Sequence, residues 1–261
     1  MLDKYSKSLP ITVTIITSNE EARIQGAILS VVGWVDEILV IDSGSNDRTC
    51  EIAEKLGAKV MMNPWTGYGP QKRFAEDHAT NQWILNIDAD ERISSALQDE
   101  IVSLWEPIPA ADGYALNIHD RIYGTHFFEK TPSYAPVRLY NKEKGRYSNH
   151  SIHDRVSMAV GTTVTHLHHR IYHESIKSLT HRIDKLNAYS TMQADDLHQR
   201  GRHITKWRLI TEFSLSFWQS YLLKGRWKLG TIGFIHAMNY AFSRYLRLAK
   251  LYEKTHMHQN T

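Results

Sequence analysis

The residues best suited to chemistry lie in Trp83-Ile84-Leu85-Asn86-Ile87-Asp88-Ala89-Asp90-Glu91, an apolar run that ends in three acids. On an extended backbone Asp88 and Asp90 point to one side and Ala89 to the other. Two carboxylates that close repel unless a cation sits between them and what they hold. Open oxygen ligation suits Mg²⁺ or Mn²⁺, ions that complete their shells with substrate phosphates. The stretch is therefore expected to dock a metal–diphosphate. The plainer alternative is a strand followed by an acidic helix cap.

The elements that must position these acids are legible upstream. Ile11-Thr12-Val13-Thr14-Ile15-Ile16-Thr17 is almost continuously β-branched, the mark of a strand buried on both faces of a parallel sheet. It runs into Ser18-Asn19-Glu20-Glu21, where Asn19 is expected to cap a helix that carries Ile24, Ile28 and Val31 and stops at Gly33. Glu37 to Asp42 reads as a second strand leading into Ser43-Gly44-Ser45-Asn46-Asp47. A helix from Arg48 to Leu56 and a third strand from Ala58 to Met62 follow. Gly67-Tyr68-Gly69-Pro70 opens another helix, running to about Thr80, before the acidic strand. Gly113 to Gly124 and Val137 to Asn141 read as later strands.

Such alternation implies right-handed βαβ units and a mainly parallel sheet, with ligands outside the carboxyl ends of the strands. Thr17, Asn19 and Glu20, then Asp42, Ser43, Gly44 and Ser45, then Asp88 and Asp90 all follow strand ends and should converge. Neither G-x-G-x-x-G nor a Walker lysine loop is present. Acids and hydroxyls instead suit a base and a ribose.

The three strand-end motifs together resemble those of family-2 glycosyltransferases of the GT-A fold. Gly67 to Ala75, Lys185-Leu186-Asn187-Ala188-Tyr189-Ser190 and Leu248-Ala249-Lys250-Leu251-Tyr252-Glu253 narrow the resemblance. They are similar to the lipopolysaccharide-core branch, which adds β-glucose to an inner-core heptose. The resemblance implies a GT-A, Rossmann-like α/β domain over residues 9–175, its mixed, mainly parallel sheet flanked by helices. A helical C-terminal extension over 176–261 would follow. It implies a UDP-sugar donor bordered by Thr17, Asn19, Glu20 and Ser43. Asp42 would accept from the uracil N–H, Lys72 would neutralise the diphosphate and Asp88 would touch ribose or sugar. Asp90 would hold the Mg²⁺ or Mn²⁺, with His173 completing its shell.

Inverting transfer is a single displacement, so one carboxylate must take the proton of the acceptor hydroxyl. The family often has a Val-His-Glu-like segment where this chain has Ser151-Ile152-His153-Asp154. Asp154 is the candidate base, with Glu174 as the second choice. Family members usually carry an Asp-Gly pair where this chain has Lys228-Leu229-Gly230, a departure that bears on the acceptor.

At 261 residues, 42% of them apolar and 23% charged, the chain can bury one large domain with an appendage. A single cysteine, Cys50, fits a reducing compartment. Met1 to Pro10 lacks the apolar run of a secretory signal. The net charge of +3 hides an asymmetry: residues 199–254 carry eleven Lys and Arg against two acids, +9, leaving −6 elsewhere. Trp207, Phe213, Phe217, Trp218 and Tyr221 lie near Arg208, Lys224, Arg226, Trp227 and Lys228. Arg244, Arg247, Lys250 and Lys254 then recur every three or four residues along one helix face.

That pattern suggests an interfacial helix at an anionic membrane, not a span. The rival is a helical lid with a solvated basic face. No nucleic-acid reader motif accompanies the basic tail. The expectation is a cytoplasmic enzyme, peripheral at the inner membrane face, that glucosylates a lipid-linked saccharide. Alternatives are a GT-A transferase of cell-wall or capsule glycan, or a non-catalytic saccharide-binding protein.

Overall fold

The computed structural model describes residues 8–106, 109–122, 125–127, 135–149, 155–174 and 179–256. The chain divides into two compact units, Met1–Ser175 and Ile176–Thr261.

The first unit begins with β1 (Leu9–Thr17), α1 (Ile24–Leu29), β2 (Val35–Asp42), α2 (Thr49–Lys55), β3 (Lys59–Met62), α3 (Tyr68–His78) and β4 (Trp83–Asp88). There follow β5 (Glu91–Ile93), α4 (Ser95–Ser103), β6 (Gly113–Ile122), β7 (Thr125–Phe127) and β8 (Val137–Asn141). It closes with β9 (Gly145–Tyr147), β10 (Val156–Met158) and β11 (Val164–His173). One sheet runs β3-β2-β1-β4-β8-β6-β11-β5, with β7 on β6, and β9 and β10 form a separate ribbon. β1 is parallel to β2 and β4, β2 to β3, and β6 to β11, whereas β8 runs antiparallel to β4 and β6.

Central strands covered on both faces need a side chain that tolerates burial at every position. β1 meets this with Ile11, Val13 and Ile15 alternating with Thr12 and Thr14, all essentially inaccessible. The threonine hydroxyls are matched: Thr12 donates to Glu37 (2.6 Å), and Thr14 Oγ1 accepts from Asn86 Nδ2 (3.0 Å). Register then sets the site. Thr17 lies opposite Asp42, and Ile16 lies opposite Asp88, so three strand ends finish level at one edge. β8 enters at that edge because it is antiparallel to β4, with Leu85 opposite Leu139. β11 delivers His173 opposite Glu91.

Two local expectations are corrected. Asn19 does not cap a helix. It sits in the left-handed region at φ 55°, which Asn tolerates better than most residues, and α1 starts later with Arg23 as its N-terminal flank. The acidic strand does not run through Glu91 either. It ends at Asp88, turns at Ala89-Asp90 and resumes as β5. Glu91 holds the turn by accepting the Asp88 amide (2.9 Å), so Asp88 and Asp90 do not share one strand face.

The second unit has α5 (Leu179–Gln199), α6 (Lys206–Trp218), a π-helical turn (Gln219–Leu223), a 3₁₀ turn (Arg226–Leu229) and α7 (Gly230–His256). α7 packs on α5 and α6. Its basic stripe is largely spent inside the unit. Arg244 donates to Glu212 (3.0 Å), Lys254 pairs with Asp195 (2.8 Å) and Lys250 donates to Asn187 O and Ser190 Oγ (2.7 and 2.9 Å). The face expected to meet lipid is therefore the packing face of α7. Helical spacing reveals a stripe, not which way it points.

Candidate active site

The loops after β1 and β2 are clasped into one rim. Asn19 N donates to Ser45 Oγ (2.8 Å), Asn46 N to Asn19 Oδ1 (2.9 Å) and Glu20 N to Thr49 Oγ1 (2.8 Å). Asp42 is fully buried. Its carboxylate accepts the amides of Gly44 (2.8 Å) and Ser45 (2.7 Å) and the Ser45 hydroxyl (2.5 Å). Asp42 thus shapes its loop. Gly44 supplies the positive φ, 99°, that the turn requires. Gln71, on α3, donates to Ser43 Oγ (3.0 Å). Thr17 Oγ1 is buried at this rim without a hydrogen-bond partner among the described residues.

Behind the rim lies a compensated charge cluster. Asp88 pairs with Lys72 Nζ (3.0 Å) and Arg138 (3.2 Å). Arg138 also donates to Glu91 (3.0 Å) and Asn86 Oδ1 (2.7 Å). Burial pushes the Asp88 carboxyl up, but the Lys72 and Arg138 charges outweigh it and hold Asp88 well below the usual carboxylate range. Lys72 is only 1% exposed, so it is no solvated helix residue; in this arrangement the charge it neutralises is that of Asp88. Tyr147 completes the cluster: its hydroxyl donates to Asn86 (2.8 Å) and its ring lies 5.1 Å from Lys72 Nζ.

Asp90 belongs to a second group. Its Oδ2 lies 3.4 Å from His173 Nε2 and 3.1 Å from Arg23. Arg23 is itself gripped in a fork by Glu20 (2.6 and 2.5 Å) and donates to Glu174 O (2.7 Å). Glu20 is therefore engaged with Arg23 through both carboxylate oxygens. Burial raises the Asp90 carboxyl, yet the His173 hydrogen bond and charge leave it lowered overall. Among the described residues no three His, Cys, Asp or Glu side chains form a metal cage. One carboxylate and one imidazole fit an ion that takes few protein ligands and fills its shell with phosphate and water.

The candidate bases are placed unequally. Asp154 lies outside the described residues. Glu174 is tied to the same turn: its amide donates to Asp90 O (2.8 Å) and its carboxylate lies 3.4 Å from Arg92.

The glycosyl transferase family 2 sequence model matches residues 12–171, which hold the rim, both acids and the sheet between them. The chain belongs to glycosyltransferase family 2. It is 40% identical over 255 residues to an uncharacterized glycosyltransferase of Rickettsia felis, covering 93% of this chain and 89% of that one. It is 30% identical over 257 residues to the lipopolysaccharide core biosynthesis glycosyltransferase LpsC of Rhizobium meliloti, covering 94% and 93%. In three dimensions it matches S. aureus TarS 1-349, solved in complex with UDP-GlcNAc, with a TM-score of 0.50 at 14% identity. That match covers 96% of this chain and 92% of that one. The first unit therefore has the GT-A fold of a family-2 glycosyltransferase: a Rossmann-like α/β sheet, mixed and flanked by helices.

In this family-2 site, sequence reasoning missed Arg23, Arg138 and Tyr147, and gave Glu91, the third acid of the run, no role of its own. One signal was readable. Val137-Arg138-Leu139-Tyr140 sets a cation inside an apolar strand, which calls for a buried acid partner. Arg23 gave no such sign, because Asp90 is 67 residues away.

Proposed function

We propose that the protein is a metal-dependent inverting hexosyltransferase that moves glucose from UDP-glucose to an inner-core heptose or similar lipid-linked saccharide of lipopolysaccharide. The observation that carries the reading is Asp90 set against His173 at the rim where β1, β2 and β4 end, in a family-2 chain. The similarity to LpsC supports the acceptor class, and the UDP-GlcNAc held by TarS, a protein of the same fold, supports a UDP-sugar.

Thr17, Asn19, Ser43 and the loop shaped by Asp42 would border the nucleotide. Asp88, braced by Lys72 and Arg138, would meet ribose or sugar. A Mg²⁺ or Mn²⁺ ion held by Asp90 and His173 would offset charge on the departing nucleoside diphosphate. Arg23, paired with the same Asp90 oxygen that faces His173, would help to orient it. Incubation with a panel of UDP-sugars and truncated lipopolysaccharide acceptors, read by mass spectrometry, tests the assignment. A hexose-sized mass gain that a chelator abolishes and Mn²⁺ restores is expected. Transfer only from another donor, or only to a cell-wall or capsule glycan, would replace it.

One carboxylate must accept the acceptor proton, and Asp154 is proposed for that task. Asp154→Asn should lower kcat by about 10²–10⁴-fold while leaving UDP affinity within twofold. An undiminished rate in Asp154→Asn, with the loss appearing in Glu174→Gln, would move the base to Glu174.

A lipid-linked acceptor calls for a membrane-facing surface, and exposed aromatic and aliphatic residues of the second unit support that reading. Trp207, Ile210, Leu215, Trp218, Leu222, Leu223 and Trp227 are each at least half exposed. Exposed Lys206, Lys224 and Lys228 accompany them. Aromatics among lysines suit the headgroup boundary. No helix among the described residues is long and apolar enough to cross a membrane. Peripheral binding at the cytoplasmic face is proposed, each lysine contributing roughly 1 kcal/mol at an anionic leaflet. Sedimentation with vesicles containing phosphatidylglycerol should weaken as salt rises and fall further in a Trp218→Ser/Leu223→Ser variant. Binding indifferent to that double substitution would rule this surface out.

A further inference from the structure

Beside Asp88 opens a cleft of about 370 Å³, walled by Pro136, Val137, Arg138, Tyr147, Arg155 and Val156. Its size is that of a small-molecule site. The antiparallel entry of β8 next to the end of β4 places it beside the nucleotide rim.

Its charge is one-sided. Asp88 is the one acid among the described residues of the lining, and that charge is already met by Lys72 (3.0 Å) and Arg138 (3.2 Å). Arg138 is balanced in turn by Glu91 (3.0 Å). Arg155 remains: it is exposed and makes no ion pair with any described residue. A saccharide lying in the cleft meets the apolar faces of Pro136, Val137 and Val156 and one uncommitted guanidinium. A planar fork of N–H donors matches phosphate or carboxylate oxygens in pairs.

We propose that this cleft takes a phosphate group carried by the acceptor saccharide, and that Arg155 is the residue that selects it. The inference rests on the transferase reading for its acceptor, but its binding test does not require turnover.

The probes are a truncated lipopolysaccharide inner-core oligosaccharide bearing phosphate and the same oligosaccharide dephosphorylated with hydrofluoric acid. Both are titrated into the full-length protein by calorimetry, and UDP is titrated separately. The native protein is expected to bind the phosphorylated form about tenfold more tightly. In Arg155→Gln that preference should vanish and the KM for the phosphorylated acceptor should rise about tenfold, with UDP affinity within twofold of native. Arg155→Lys should recover part of the preference, because the charge remains while the fork is lost.

Three results would overturn the proposal. Equal affinity of the native protein for both oligosaccharides would remove the anion. An Arg155→Gln variant that keeps the preference would remove the residue. A parallel loss of UDP affinity would show that the cleft holds the donor's diphosphate instead. Failure of the transferase reading looks different: the preference would persist in binding while no UDP-sugar yielded a product.

Discussion

Asp90→Asn is expected to cut turnover by about 10³-fold, or roughly 4 kcal/mol of barrier, while leaving the fold nearly intact. The asymmetry follows from where the charge sits. Asp90 lies on a turn, its side chain 15% exposed, with Arg23 and His173 as partners. Its loss leaves Arg23 still forked to Glu20 and donating to Glu174 O, so no cation is stranded in the interior. What disappears is the negative oxygen proposed to hold the divalent ion. Steady-state transfer assays at saturating UDP-sugar and Mn²⁺, beside thermal unfolding, separate the two effects. Turnover within tenfold of native would remove Asp90 from the chemistry. A melting temperature lowered by more than about 5 °C would make it a structural residue.

Arg138→Met is expected to do the opposite, striking stability first. Arg138 is 8% exposed and its partner Glu91 is 1% exposed, so the substitution leaves a carboxylate in the interior without its cation. Removing one member of a buried pair typically costs about 3–5 kcal/mol. For a chain of this size that corresponds to a fall in Tm on the order of 10 °C. Burial already raises the Glu91 carboxyl despite Arg138, so without the arginine Glu91 would take up a proton more readily. The double variant Arg138→Met/Glu91→Gln should recover a large share of the loss, because no charge is then stranded. Differential scanning calorimetry of both variants decides it. A single variant that melts within 2 °C of native would show the cluster to be dispensable.

The two substitutions mark where sequence reading reached and where it stopped. The rim of strand ends was legible because its cause is local: a β-branched run such as Ile11–Thr17 can hardly be anything but a central strand. The carboxyl-end rule then collects Thr17, Asp42 and Asp88, and register sets them level. The turn at Ala89-Asp90 was not legible. It depends on Glu91 reaching back to the Asp88 amide and on β11 pairing with β5, a strand partner about eighty residues on. Arg23 escaped notice because a lone arginine has no period, and its meaning comes from partners distant in sequence; the apolar strand around Arg138 signals a buried acid but does not say that Asp88 and Glu91 supply it. The basic stripe of α7 was seen but misdirected. Spacing of three and four residues describes a helix face equally well whether it meets lipid or, as here, Glu212, Asn187 and Asp195.

The central claim, a divalent cation and a nucleoside diphosphate meeting at Asp90, is tested most directly by a crystal soaked with UDP and Mn²⁺ and measured at the manganese absorption edge. The expected result is an anomalous peak in contact with Asp90 and His173, with UDP lying along the rim from Thr17 to Asp88. Manganese and UDP bound elsewhere, with Asp90 still joined only to Arg23 and His173, would contradict the account.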